Sequence, residues 1–388
     1  MAERSPVNIL NCFLENRPGG ANLRGYRIAL RLRERGIETR FLFNEKQTGI
    51  LPFPDFEYLL IRHLQPIQAQ RQVRGILAFL TFLPWNLVRL IRYIRHRQID
   101  LVHVNGMMNI VPALAAVLSR KRLLWHLNDM STPRLLVPFL RRLVRRWSWR
   151  IAVSAGRIGE SYFGDDPGVQ SRMVTLYPPI DTEFVRPEAV SAEAIAQFRR
   201  QYDLGSGPVV GAMGNLNPAK GYDYFIEAAR LIRERQPTAL FLIAGTRLDS
   251  QTSYADQIED RIRQCGLCDS FRFVGFQSDP RVVLACCDVI VLSSVREGCP
   301  TVVLEAMAMM IPVVAADVGG VREEMIDGQS GFVVPPRDPQ RLAHGVLDCL
   351  AMPDAERRRL VRSARNRVET NFDIHRIVEI YLDLLRSN

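Results

Sequence analysis

A chain of 388 residues suits two domains better than one. Hydrophobic residues make up 47% and charged residues 24%, the balance of an ordinary globular protein. The net charge of +10 is uneven: residues 1–190 hold 28 Lys and Arg against 15 Asp and Glu, the remainder 23 against 26, so the two halves should meet different partners. Seven cysteines, odd in number and irregularly spaced, argue against a disulfide framework and suit a reducing cytoplasm. Cys265 and Cys268 form a lone CxxC, and without a second pair they are weak evidence for zinc. The opening MAERSPVNIL lacks the apolar segment of a secretory signal. No stretch approaches the ~20 apolar residues of a membrane span; the nearest, residues 75–88, contains Thr81, Pro84 and Asn86.

In chain order, residues 7–14 read as a strand, followed by a Pro-Gly-Gly turn. A helix should follow with Leu23, Tyr26 and Leu30 on its inner face and arginines on the other. Gly36 ends it, and residues 37–43 read as the next strand. Short apolar runs at 101–104, 123–127, 151–153 and 173–176 continue the series, and buried strands separated by helices indicate parallel pairing through crossovers. Prolines around 178–187 break the pattern before a polar helix at 192–202. The rhythm then restarts, with strands expected at 209–213, 240–244, 271–274, 289–292 and 313–315 and helices at 222–233 and 301–309. A final amphipathic helix, 372–385, should turn Ile374, Ile377, Val378, Tyr381 and Leu385 inward.

Four constellations carry chemistry. In Glu297-Gly-Cys-Pro-Thr-Val-Val-Leu-Glu305, two carboxylates lie eight residues apart, after a strand and on a helix that Pro300 should start. The free N–H groups of that helix end suit a diphosphate, Glu305 suits ribose hydroxyls and Glu297 suits sugar hydroxyls. Two solvated glutamates flanking a core helix would show the same spacing. Residues 211–221, GAMGNLNPAKG, follow a strand and open a helix; the glycines allow close backbone approach and Lys220 offers a point charge. The spacing is not that of a P-loop, and a tight turn with a solvated lysine remains the alternative. Gly19 and Gly20 could pass under a phosphate or simply form a turn. His126 ends a strand and so should point to the ligand side of an open α/β sheet, whereas His103 reads as packing.

Taken in order, these motifs resemble the family-4 retaining glycosyltransferases of GT-B fold (glycosyl transferases group 1). The resemblance runs through Gly19-Gly20, residues 100–103, His126, residues 153–154, residues 177–181 with Phe184, Lys220-Gly221, Ala244-Gly245, Val274-Gly275 and Ser293-Ser294 before Glu297. It continues through Glu305-Ala306-Met307, residues 312–314, Gly319-Gly320 with Glu323, and residues 327–331. It implies two doubly wound Rossmann-like α/β domains facing each other across a cleft: an acceptor domain at 1–187, a nucleotide-sugar domain at 188–370 and a helix, 371–388, crossing back to the first. It implies a donor set of Gly19, Gly20, Asn215, Lys220, Glu297, Gly298, Thr301, Val302 and Glu305, with His126, Glu297 and Lys220 at the reacting centre. No metal and no cofactor are implied, because Lys220 and helix N–H groups neutralise the diphosphate, and stabilising the leaving group is the main catalytic effect. One departure stands out. The family usually has an arginine directly after Gly214, and this chain has Asn215. Either another basic residue substitutes, or donor binding is weaker, or catalysis is impaired.

The expected activity is retaining transfer of a sugar from a UDP- or GDP-sugar to a glycan or lipid-linked glycan, in cell-surface polysaccharide or glycolipid synthesis. The alternatives are an inactive relative that binds nucleotide sugar or a partner, and a GT-B nucleotide-sugar epimerase. Seven arginines in residues 62–97 and six in 134–150, with Trp147 and Trp149 interleaved, suggest docking on an anionic membrane surface through Arg141, Arg142, Arg145 and Arg146. A solvated basic face is the alternative. No nucleic-acid recognition motif is present, and the expected location is cytoplasmic, peripheral on the inner face of the membrane.

Overall fold

The computed structural model describes residues 7–14, 20–44, 55–62, 64, 73–248 and 251–387. The chain forms two compact units, residues 1–179 with 374–388, and residues 180–373. The expected boundaries at 187/188 and 370/371 shift, because residues 180–185 are tied to the second unit. Ile180 N–H bonds the Phe372 carbonyl, and the Arg365 guanidinium bonds the carbonyls of Thr182 and Val185.

The first unit is a seven-stranded sheet whose strands are β1 (Asn8–Cys12), β2 (Glu38–Asn44), β3 (Tyr58–Ile61), β4 (Leu101–Asn105), β5 (Arg122–Leu127), β6 (Arg150–Val153) and β7 (Met173–Thr175), in spatial order 3-2-1-4-5-6-7. Every pairing is parallel. The helices are α1 (Gly20–Arg33), α2 (Val73–His96), α3 (Ile110–Leu118), α4 (Val137–Trp147), α5 (Gly156–Phe163) and α6 (Pro167–Gln170). Right-handed crossovers place α2, α3 and α4 on one side of the sheet and α1 on the other. The last helix of the chain, Ile374–Arg386, packs on the α1 side, where Ile377, Val378 and Tyr381 join Ile28 and Leu32 over Leu101 and Leu124. β3 is a four-residue edge strand behind two prolines and was not legible in the periodicity.

Two sequence expectations change. In α1, Leu23 is exposed and Arg24 is buried; Gly25, Ile28, Ala29 and Leu32 turn inward, and the expected Tyr26 and Leu30 are half-buried against the cluster of Phe13, Phe41, Phe43 and Phe56. Burial of Arg24 is tolerated because its guanidinium is hydrogen-bonded to three side chains, those of Ser154, Asn105 and Asn128. The apolar run at 75–88 is not broken: α2 continues through Pro84, and its Leu77–His96 stretch is long and apolar enough, by length and composition, to cross a membrane. Most of that stretch is exposed, while Leu90 and Ile94 are fully buried against unit 1 and Asn86 Nδ2 donates to the Arg62 carbonyl at 2.7 Å.

The second unit repeats the plan with six parallel strands, β8 (Val209–Met213), β9 (Leu240–Ala244), β10 (Phe271–Gly275), β11 (Val289–Leu292), β12 (Val313–Ala316) and β13 (Phe332–Val334), in order 10-9-8-11-12-13. Its helices are α7 (Ala192–Gln201), α8 (Tyr222–Arg235), α9 (Thr252–Gln264), α10 (Pro280–Ala285), α11 (Thr301–Ala308), α12 (Val321–Glu324), α13 (Pro339–Ala351) and α14 (Asp354–Asn371), and the final helix of unit 1 is α15 (Ile374–Arg386). Phe225, Phe241 and Phe271 interlock at its centre, with edge-on and stacked ring pairs 5.2–5.9 Å apart.

Candidate functional site

In each sheet the strand order reverses direction once, between β1 and β4 and between β8 and β11. Open α/β sheets bind ligands beyond the carboxyl ends of the strands at such a switch point. The residues singled out from sequence in the second unit gather there.

Strand β8 runs into Gly214 and a 3₁₀ turn, Pro218–Lys220, capped by the Asn217 side chain on Ala219 N–H at 3.0 Å. Gly221 follows at φ +61, where an added Cβ would collide with the Ser293 carbonyl oxygen beyond β11. Only glycine permits this approach, and it fastens the β8 turn to the β11 loop. The Lys220 carbonyl takes the Ser293 hydroxyl at 2.9 Å, and Val295 N–H donates to the Ala219 carbonyl at 2.8 Å. As a result Lys220 Nζ meets Glu297 Oε1 at 2.8 Å, and Ser294 Oγ donates to the same oxygen at 2.7 Å. The lysine charge is therefore placed and balanced before any ligand arrives.

Gly298 is held from the other side by a 2.7 Å bond from Gly320 N–H, with Gly319 at φ +53 packed directly on the Glu297 and Gly298 carbonyls. Pro300 is the N-cap residue of α11, one position earlier than expected, and Thr301 begins the helix. No side chain caps that end, and with Val303 N–H taken by the Pro300 carbonyl at 3.0 Å the Thr301 and Val302 N–H groups are the ones a ligand could use. Val302 is buried, and Glu305 is half-buried one turn in.

Asn215 is used structurally. Its Oδ1 accepts Thr246 N–H at 3.1 Å, and its carbonyl takes Asn217 Nδ2 at 3.0 Å. Arg247, whose backbone pairs with Leu216, has its guanidinium bound to Asp256 and Glu259.

Glu324, next to the expected Glu323, belongs to no motif in the sequence. It is fully buried, takes the Cys299 thiol on Oε1 at 2.9 Å and leaves Oε2 without a partner. Burial pushes its carboxyl well above the usual range, and the nearby Glu297 and Glu323 push the same way against the Cys299 bond.

In the first unit, Gly19 lies outside the described residues, and Gly20 is the first residue of α1. His126 is the next-to-last residue of β5 but is only 1% exposed, with both ring nitrogens engaged: Nδ1 lies 3.2 Å from His103 Nε2 and Nε2 lies 3.2 Å from Ser154 Oγ. His103 is therefore more than packing. Burial, and after it the Arg24 charge, lowers His103 to about 3 and lowers His126 in the same direction. Both imidazoles are neutral at pH 7.

The α4 arginines face a groove of about 830 Å³ beside Phe139, Trp147 and Arg172. Arg145 pairs with Asp166 at 3.2 Å, and Arg141 covers the Phe163 ring. The interleaved tryptophans turn inward: Trp147 stacks near Trp125, and Trp149 lies under Arg122 and Arg150. Among the described residues, no cluster of three or more His, Cys, Asp or Glu could hold a metal ion.

Two parallel, doubly wound α/β units with their polar loops at the switch points define the GT-B class. Residues 18–184 match the model of Glycosyltransferase Family 4, and residues 195–367 match that of Glycosyl transferases group 1. The chain belongs to this glycosyltransferase family. An alpha-D-kanosaminyltransferase of Streptomyces kanamyceticus is 33% identical over 42% of each chain. A GDP-mannose-dependent alpha-(1-6)-phosphatidylinositol monomannoside mannosyltransferase of Mycobacterium tuberculosis is 30% identical over 49% of this chain and 50% of its own. The matched stretches thus span about half the length of these relatives, or less. Anabaena HepE, solved with UDP-glucose, superposes with a TM-score of 0.83 at 23% identity over 98% of this chain and all of that one.

Proposed function

We propose that the chain is a retaining glycosyltransferase that moves a sugar from a UDP- or GDP-sugar held by the second unit to a glycan or lipid-linked glycan met by the first. One observation carries this reading: Lys220, Glu297, the uncapped end of α11 and Glu305 converge at the β8/β11 switch point on backbone that only glycine allows. Lys220 and the α11 N–H groups neutralise the diphosphate without a metal, Glu305 binds the ribose and Glu297 orients both Lys220 and the sugar. As the glycosidic bond to phosphate breaks, charge builds on the diphosphate, and these donors stabilise it. The acceptor hydroxyl attacks the face the phosphate leaves, with the phosphate taking its proton, so configuration is retained.

The experiment is acceptor-dependent glycoside formation with a panel of UDP- and GDP-sugars, in EDTA and in magnesium. Transfer unaffected by EDTA is expected, and anomeric NMR of the product reads retention. Asn215 gives specific weight to a second reading, an inactive relative that binds donor without turnover, because its amide is occupied by Thr246 and supplies no cation. Donor binding with no transfer to any acceptor would select it, and sugar inversion without acceptor would select an epimerase.

The first unit supports work at the cytoplasmic face of an anionic membrane. The outward face of α2 carries Leu77, Leu80, Phe82, Val88 and Trp85, the last 67% exposed, followed by Arg89, Arg92 and Arg95. On the same side of the sheet, Leu135 is 94% exposed beside Phe139, next to Arg142 and Arg146. Exposed apolar groups edged by arginines are the pattern of an interfacial helix. Flotation with phosphatidylcholine vesicles, with and without phosphatidylglycerol, tests this. Binding should need the anionic lipid and be lost in Arg141/Arg142/Arg145/Arg146→Glu, and no binding by the parent chain would sink it.

A further inference from the structure

On the α1 side of the first sheet, alternate strand positions change from apolar to polar toward the carboxyl ends. Leu101 gives way to His103 and Asn105, Leu124 to His126, and Ala152 to Ser154. Side chains from four elements and from the loops after β5 and β6 join into one chain of bonds. The Tyr381 hydroxyl of α15 lies 3.0 Å from His103 Nδ1, His103 Nε2 lies 3.2 Å from His126 Nδ1, and His126 Nε2 lies 3.2 Å from Ser154 Oγ. Ser154 Oγ accepts Arg24 Nη1 at 2.8 Å and donates to Asn128 Oδ1 at 3.3 Å, and that oxygen also accepts Arg24 Nη2 at 2.6 Å. Tyr381, His103, His126 and Ser154 are all buried.

Proton counting gives this chain a direction. A hydroxyl and a neutral imidazole each have one proton to donate. Run from Tyr381 to Asn128, every proton has an acceptor: Tyr381 donates to His103, His103 to His126, His126 to Ser154 and Ser154 to Asn128. Run backward, Tyr381 would receive a proton from His103 and have no acceptor for its own among the described residues, and Ser154 would have to leave Asn128. A buried unpaired donor is the costlier arrangement.

We propose that Tyr381, acting from the last helix through His103, is a positioning residue that fixes His126 as the Nε2–H tautomer and fixes Asn128 with its oxygen inward, so that the Asn128 amide nitrogen is the donor unit 1 offers its ligand. The half-buried Asn128 ends the chain just past β5, and its nitrogen has no partner among the described residues. His126 therefore acts through its bonds and not by touching a substrate. That the ligand is an acceptor rests on the transferase reading; the direction of the bonds does not.

The test uses the full chain labelled with ¹⁵N-histidine. Long-range ¹H–¹⁵N spectra distinguish Nε2–H, Nδ1–H and imidazolium rings, and His103→Gln and His126→Gln assign the signals. Two Nε2–H rings at pH 7 are expected. Tyr381→Phe keeps the ring and removes the proton, and should abolish the single-tautomer signature at both histidines and shift the Asn128 amide signals. In the transfer assay it should raise the acceptor KM by about fivefold, the worth of one ordinary hydrogen bond, with nucleotide affinity unchanged. Asn128→Ala should raise the acceptor KM as well while leaving both tautomers in place. An Nδ1–H or charged His126 in the parent chain, or tautomers untouched by Tyr381→Phe, overturns the proposal. A parent chain that transfers nothing defeats the transferase reading, and the spectra still decide the relay.

Discussion

Both units gather polar residues at the switch point of a parallel sheet, but the two clusters are assembled differently. In the second unit they come from two short loops, each following one strand, and close-packed glycines bring Lys220 to Glu297. In the first unit Arg24, His103, His126, Ser154 and Tyr381 come from α1, β4, β5, the loop after β6 and α15. One cluster displays a charge at a helix end and leaves it partly exposed; the other buries nearly every member and neutralises its imidazoles. A diphosphate needs placed charge, whereas a network that orients neutral groups needs a dry, fully paired interior.

The largest effect should follow from breaking the exposed cluster. Lys220→Ala should cut turnover by tenfold or more, about 1.4 kcal/mol per tenfold, and steady-state kinetics would remove Lys220 from the site if the rate held. The buried cluster should answer to acid instead. Unfolded histidine takes a proton near pH 6.5, whereas folded His103 waits until about pH 3 and folded His126 is lowered likewise. Their contribution is therefore fully present above about pH 6.5 and is lost as pH falls toward 3. For His103 the cost should be on the order of 1 kcal/mol per pH unit in that window, with His126 acting in the same direction, read by urea melts of the parent chain and His103→Gln.

Glu324 should behave with the opposite sign, since its folded carboxyl holds a proton that the unfolded chain releases above its ordinary value of 4.5. Stability from this group is present at acid pH and is lost as pH rises. Glu324→Gln should raise the melting temperature at pH 8 by a few degrees, about 1 kcal/mol, and change little at pH 4. The smallest expected effect is Asn215→Arg. It trades the Thr246 bond for a cation at the diphosphate and should tighten donor binding by about tenfold or less, measured calorimetrically.

The same contrast explains what could be read from the sequence. Glu297, Glu305 and the Lys220 turn lie within continuous segments, so spacing alone proposed them. The Arg24–Tyr381 network spans most of the chain, and α1 looked like a helix with its arginines outward until three side-chain partners showed why Arg24 is buried. A signal existed: polar residues recur at alternate positions near the ends of β4, β5 and β6, on one face of the sheet. Reading it required the strand register, which only the fold supplies. Glu324 was hidden for a similar reason, since its burial depends on packing against Cys299 and not on any motif.

The most direct measurement is calorimetric titration of the full chain with UDP-, GDP-, ADP- and dTDP-sugars, in EDTA and in magnesium, alongside Glu305→Ala. The account predicts that one donor binds with or without the metal and that Glu305→Ala weakens it. A chain that binds none of them, or a Glu305→Ala chain of unchanged affinity, would contradict the donor site at the β8/β11 switch point.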